Sequence, residues 1–452
     1  MTVSVKSNNQ DHFWFLLLEY INEKGGVKME EKMIDQMKDS TVLSRHREVR
    51  FPRFPYEEYE GRVSKARELM GKYGMDALLL FAPEDIFYYT GFKKENLAVE
   101  KRWRRGVVFP KKGEIVMLMG NEVFFNATIT SWVKDIRGWG GPPELGRPQN
   151  FVEGYVGLIK EMDLQNKALG VELWEKTPAV DVDLTWHEFD AIRRALPEAK
   201  FTDAGSMIWE QRMIKTPFEI GVIKELAKIA TKGFKVGLET IREGVTEQEI
   251  VINMYQTMLA EGLWDVPMFS RVPMKGPGHY HAGILAPQAT VLKKGDMLMF
   301  DGGPRHKGYW CDIQRNACIG EPPAIQRKLY DAALEGLDAA LSVIKPGVRV
   351  AEIHRAAAER LGKIDPKFSV IRNVFAGHGL GLHTHEPPYL DPTGDQADII
   401  LQEGMYLAVE ISAQDVPEFR VVGGFPEDNV LVTKDGHENL TWDVPRKLWI
   451  AK

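Results

Sequence analysis

The chain has 452 residues, 44% hydrophobic and 27% charged, with a net charge of −6. That length exceeds one ordinary core and predicts about two or three domains of a globular protein. The mild negative charge argues against a nucleic-acid partner, which calls for a basic face. The two cysteines, Cys311 and Cys318, exclude a disulfide scaffold and point to a reduced, cytoplasmic setting.

The first apolar run, Phe13–Leu18 (FWFLLL), is too short for a signal-peptide core and follows Asp11. It reads as a turn of amphipathic helix in an N-terminal extension over residues 1–50. No run approaches the roughly 20 apolar residues that span a bilayer, so no membrane partner is expected. A first domain over 51–206 alternates helix and strand, the pattern of an α/β domain. Val63, Ala66, Leu69, Met70 and Tyr73 fall at helical spacing, Gly74 ends that helix, and DALLLF is a buried strand. GVVFPKKGEIVMLM (106–119) predicts a hairpin around Lys111–Gly113, and KALGVE (167–172) another strand. The basic run KRWRR, Lys101–Arg105, reads as a solvated charge cluster, with a partner contact as the runner-up.

A second domain over 207–452 begins with longer helices. Ile220, Ile223, Ala227, Ala230, Phe234, Leu238 and Ile241 make one apolar face. Thr246 and Glu249 then form a capping box for a helix running to about Gly262. LETIREGVTEQEI from Leu238 and LSVIKPGVRVAEI from Leu341 share the pattern L-x-x-I-x-x-G-V-x-x-x-E-I. That repeat predicts a duplicated helical unit about a pseudo-two-fold axis, with a ligand cleft between the halves. After Lys293 strands are expected at 296–301, 308–320, 404–412 and 427–433. The second domain is therefore a mostly antiparallel, curved sheet covered by helices, and the class is α+β.

Carboxylates stand on these strands where a charge is costly. Asp301 ends MLMF, Asp312 lies in mid-strand, Glu410 ends YLAV and Glu427 opens an apolar strand. Gly377–Pro388, GHGLGLHTHEPP, adds His378, His383 and His385, three of the 11 histidines. Four carboxylates on one sheet plus His378 could bind one or two divalent metals such as Mn, Co, Fe or Zn. Carboxylate bridges hold two ions about 3.5–4 Å apart and make a nucleophilic hydroxide available at neutral pH. Taken singly, each residue has an ordinary reading. Asp301 before Gly-Gly is a turn former, Asp312 a partner for Arg315 or Arg305, Glu410 and Glu427 partly exposed side chains, and His378 a hydrogen-bonded loop histidine.

The order and spacing of these motifs, over about residues 55–452, resemble the creatinase / aminopeptidase P / methionine aminopeptidase superfamily of pita-bread metallopeptidases. RVSKARELMGKYGMDALLLFAPEDIFYYTGF is similar to the superfamily's N-terminal domain, and RMIKTPFEIGVIKELAKIA to the opening of its catalytic domain. GDMLMFDGGPRHKGYWCDIQRNACIG resembles the paired-Asp motif, GHGLGLHTHEPP the His motif, and EGMYLAVEIS and PEDNVLVTKDGHENLT the two Glu segments. The resemblance implies two divalent metal ions. Asp301 would chelate one, Asp312 and Glu427 would bridge both, and His378 and Glu410 would complete the other. Glu410 would also shuttle a proton. His385 would contact the substrate and steady the tetrahedral intermediate, with His279 on the opposite wall.

The implied reaction is attack of a metal-bridging hydroxide on a small peptide or amide carbonyl, as in Xaa-Pro peptidases, by a homodimer. Those peptidases carry Arg two residues before the last Glu; here that place is Phe425, leaving Arg420 or Arg315 to offset the charge. Trp264, Phe269, Tyr280, Trp310 and Phe425 are candidate pocket walls or ordinary core. A dimethylsulfoniopropionate lyase-like or creatinase-like C–N hydrolase activity, and a non-catalytic pita-bread binding module, stay open as alternatives.

Overall fold

The computed structural model describes residues 54–92, 104–174, 184–263, 268–271, 287–368, 376–413 and 425–452. The N-terminal extension and His279 lie outside them. The chain divides into two compact units, and the helix α1 (Tyr56–Tyr73) falls mostly in the second, from Glu60 onward.

The first unit is built on a six-stranded sheet. Its strands are β1 (Ala77–Leu80), β2 (Arg105–Pro110), β3 (Val116–Gly120), β4 (Asp135–Trp139), β5 (Ala168–Val171) and β6 (Lys200–Asp203), in the order β4-β3-β2-β1-β5-β6. All four residues of β1 are buried, as a central strand covered on both faces requires. The 106–119 hairpin forms as expected, with β2 antiparallel to β3 and the turn relieved by Gly113 at φ +103°. The helices of this unit are α2 (Pro83–Thr90), α3 (Asn121–Thr130), α4 (Phe151–Glu161) and α5 (Trp186–Ala195). The basic run is not a solvated cluster where it is described. Arg105 is buried in β2, and Arg104 Nε pairs with Glu188 at 2.9 Å.

In the second unit, α6 (Gly205–Arg212) leads to the helix pair α7 (Pro217–Thr240) and α8 (Glu247–Ala260). Thr216 and Thr246 each close a capping box, with Glu219 and Glu249. Gly233 and Gly237 sit one turn apart on α7, where a Cβ would strike Met258 and Met254 at 2.1 and 2.6 Å. That close approach is what their missing side chains permit.

Strands β7 (Met268–Arg271) and β8 (Met297–Gly302) follow, then the two-residue strands β9 (Arg305–His306) and β10 (Tyr309–Trp310), and β11 (Arg315–Ile319). A second helix pair, α9 (Ala324–Ser342) and α10 (Val350–Ile364), precedes β12 (Gly377–Gly379), β13 (Tyr406–Glu410), β14 (Glu427–Val432), β15 (His437–Asn439) and β16 (Trp449–Ala451).

The repeat is visible in the hydrogen bonding. Gly244 N donates to Leu292 O and Leu292 N to Val245 O; one repeat later Gly347 N donates to Leu401 O and Leu401 N to Val348 O. Each half is thus a helix pair whose connection is pinned to a returning segment.

Two expectations need correction. Residues 308–320 are not one strand: β10 ends at Trp310, β11 begins at Arg315, and Asp312 lies in the break. The carboxylates also stand on two four-stranded sheets, β16-β11-β8-β7 and β12-β13-β14-β15. The break joins them. Cys311 N donates to Pro304 O and Ile313 N to Gly302 O on the first side, while Glu427 N donates to Gln314 O on the second. A strand that must bond to both sheets in turn cannot keep one regular ladder. All pairings in these two sheets are antiparallel except β11 with β16.

Candidate metal centre

Strand alternation decides which side chains reach the centre. On β13 and β14 the odd and even sets divide cleanly. Leu407, Val409, Val430 and Val432 join Leu337, Ile353 and Leu361 of the α9–α10 pair in the core. The opposite face carries Ala408, Glu410, Glu427 and Asn429. Register then sets neighbours: Glu410 lies opposite Glu427, and Ala408 lies between His378 on β12 and Asn429 on β14.

The expected ligand residues converge. Three groups present donor atoms all within 4.8 Å of one another: Asp301, Asp312 and Glu427; His378, Glu410 and Glu427; Asp312, His378 and His385. His378 Nε2 stands 3.9 Å from both Asp312 Oδ2 and Glu410 Oε1. Its other nitrogen, Nδ1, donates to Gly379 O at 3.0 Å, which leaves Nε2 as the lone-pair atom facing the carboxylates. Burial, then the adjacent His385, pushes the His378 pKa down to about 3, so the ring is neutral at pH 7. His385 is exposed, its ring 4.0 Å from that of His378.

Burial, followed by the charges of Asp312, Glu410 and Asp301, pushes the Glu427 carboxyl well above the usual carboxylate range. A buried cluster of like charges around a neutral imidazole is a donor set that a divalent cation satisfies and water alone does not. These residues therefore fit divalent metal ions.

The histidine loop is shaped by close backbone approach. Gly377 has φ +126°, and a Cβ there would lie 2.0 Å from Ala408 O. A Cβ on Gly381 would meet the Glu386 carboxylate at 2.3 Å. Glu386 is buried and pairs with Arg212, with Lys215 Nζ 3.8 Å away. Its carboxylate also accepts from His383 N at 3.0 Å. Burial pushes its pKa up, but Arg212, the His383 hydrogen bond and Lys215 outweigh that and hold it well below the usual range. Arg212 stacks on Trp209 at 4.6 Å, and its Nη2 lies 3.2 Å from His383 Nδ1. RMIKTPFEI thus anchors HTHEPP, and His383 belongs to that anchor. Trp310 braces the same loop, its backbone N donating to Gly381 O at 2.8 Å and Nε1 to Leu382 O at 3.0 Å.

Asn429 went unnoticed in the sequence. Its Oδ1 accepts from Asp312 N at 3.0 Å, Tyr406 Oη at 2.9 Å and Cys311 Sγ at 3.1 Å, while Nδ2 donates to Asp312 O. Only its place two residues after Glu427, on the same strand face, hinted at a role. Burial raises the pKa of Cys311 and of Tyr406, so both keep the protons they donate.

Arg315 pairs with Asp428 at 2.7 Å and donates to the Glu427 carbonyl. It therefore meets the backbone of Glu427 and the carboxylate of the next residue. Phe425, partly buried, packs against the cluster of Met297, Cys318, Tyr330 and Leu448. Trp264, Tyr280, His279 and Arg420 lie outside the described residues, and Phe269 is described only as backbone in β7.

The model for metallopeptidase family M24 matches residues 221–434, and that for the creatinase/prolidase N-terminal domain matches 62–214. A Xaa-Pro dipeptidase of Lactobacillus helveticus is 31% identical over 262 residues, 57% of this chain and 68% of that protein. The putative dipeptidase YkvY of Bacillus subtilis is 29% identical over 383 residues, 84% of this chain and 97% of its own length. The solved Xaa-Pro dipeptidase from Bacillus anthracis has a TM-score of 0.69 at 24% identity, covering 87% of this chain and 99% of that one.

The fold is that of a pita-bread metallohydrolase with a creatinase-type N-terminal domain. The chain belongs to metallopeptidase family M24. Among the described residues, no helix is long and apolar enough to cross a membrane.

Proposed function

We propose that the protein is a dinuclear metal-dependent dipeptidase that cleaves small peptides before proline, acting as a cytoplasmic homodimer. The observation that carries this reading is the convergence of Asp301, Asp312, His378, Glu410 and Glu427 in overlapping donor groups within 4.8 Å. The Xaa-Pro dipeptidase names of its relatives support the substrate class.

In this reading Asp301 would hold one ion, Asp312 and Glu427 would serve both, and His378 and Glu410 would hold the second. Two such ions, as Mn, Co, Fe or Zn, supply Lewis acidity and a nucleophilic hydroxide at neutral pH. Glu410, at the end of its strand and only half-buried, takes the nucleophile's proton and returns it to the leaving nitrogen. His385, exposed and with its ring 4.0 Å from that of His378, donates to the developing oxyanion. His279 is assigned to the opposite wall by the HY motif alone. The elimination, creatinase-like and binding-module alternatives gain no supporting observation.

The test is to incubate the metal-loaded protein with Xaa-Pro dipeptides, longer Xaa-Pro peptides, creatine-like amides and dimethylsulfoniopropionate, and to identify products by mass spectrometry. Free amino acid and proline from the dipeptides are expected; product from the non-peptide substrates alone overturns the reading. Asp312→Ala should lose metal and turnover while keeping its circular dichroism, and a fully active variant removes Asp312 from the ligand set.

A further inference from the structure

Asp312 occupies the break between β10 and β11, where no neighbouring strand supplies a regular ladder on both sides. A ligand on irregular backbone needs another restraint, because a misplacement of a few tenths of an ångström changes coordination. The restraint present is a side chain. The Asn429 amide bonds both the N–H and the C=O of Asp312, as one rung of an antiparallel pair would. It thereby ties the break to β14, two residues from Glu427 and on the same strand face.

The amide is itself held. Tyr406 Oη and Cys311 Sγ both donate to Oδ1, and the backbone N of Asn429 donates to Thr441 Oγ1 at 3.0 Å. Asn429, Tyr406 and Cys311 are all buried. A buried amide with every polar atom engaged is costly to rotate. Tyr406, Asn429, Glu410 and Glu427 share one face of the β13–β14 pair, so the clamp and two of the carboxylates stand on one surface.

We propose that Asn429 is the positioning residue for Asp312, fixing that carboxylate against Glu427 and Glu410 so that the metal site is formed before metal arrives. The proposal rests on Asp312 being a metal ligand. Asn429→Leu keeps the branched shape in a larger side chain and removes both side-chain bonds to Asp312; Tyr406→Phe removes one donor to the amide and leaves the rest.

Mn²⁺ binding to the metal-free full-length protein is measured by calorimetry, beside thermal unfolding without metal. Asn429→Leu should weaken Mn²⁺ binding roughly 10- to 100-fold, the usual effect of losing a partner that orients a ligand. Tyr406→Phe should weaken it severalfold. Folded Asn429→Leu protein that binds Mn²⁺ as tightly as wild type overturns the proposal, even if its metal-free unfolding midpoint falls. If Asn429→Leu does not fold, Tyr406→Phe decides: unchanged Mn²⁺ affinity overturns the proposal and a severalfold loss supports it. Asp312→Ala run in parallel separates the two claims, since wild-type Mn²⁺ binding there defeats the ligand assignment itself.

Discussion

Glu386 lies inside the histidine motif and acts there as an anchor. Its carboxylate is buried between Arg212 and Lys215, and it holds His383 N. Removing one partner of such a buried pair costs about 3–5 kcal/mol. The sign of the pH dependence follows from the depressed pKa. The stabilisation is fully present above the unfolded value of about 4.3 and is lost as pH falls through the folded value. Glu386→Gln should therefore unfold at lower urea than wild type at pH 7, and the gap should narrow below about pH 4. A gap that stays constant with pH would show that the carboxylate charge is not what anchors the loop. His383 and His385 lie two residues apart, yet the anchor takes one and leaves the other exposed beside the centre. The residue types alone could not separate them, because both are histidines of one loop.

At the scale of elements, the junction of β12 with β13 is the most constrained piece of backbone at the site. Gly377 at φ +126° stands where a Cβ would lie 2.0 Å from Ala408 O. Gly377→Ala must push β12 away from β13 or change φ, and His378 is the next residue. Destabilisation of about 2–4 kcal/mol is expected, from backbone strain together with overpacking. Metal affinity should fall with it; unchanged unfolding and unchanged metal binding would contradict the geometry. The helices were legible because capping boxes and apolar periodicity act locally: Thr246–Glu249 closes within four residues. β13 and β14 were legible as strands for the same reason. The break at 311–314 was not, since its bonds run to Gly302, Pro304, Glu427 and Asn429, on segments far apart in sequence.

For the whole molecule, metal and fold are linked. A buried group of carboxylates in which Glu427 is forced toward its protonated form is a standing cost without a cation. Ligand at a hundred times its dissociation constant adds about 2.7 kcal/mol to stability. Chelation should accordingly lower the unfolding temperature, and re-addition of Mn²⁺ should restore it, read by scanning calorimetry. An unfolding temperature indifferent to chelator would argue against a resident metal in this cluster.

Most of the elements, the internal repeat, the superfamily resemblance and the residue types at five spaced positions are legible along the chain. These depend on neighbours along the chain: periodicity, caps, and a strand's apolar run interrupted by a carboxylate. Three-dimensional packing was needed to show that two sheets rather than one carry the carboxylates, that Arg315 serves Asp428, that Phe425 packs against the Met297–Tyr330 cluster, and that Asn429 bonds Asp312. Each of these is a choice between partners distant in sequence, made by register across β13 and β14 and by the break that joins the sheets.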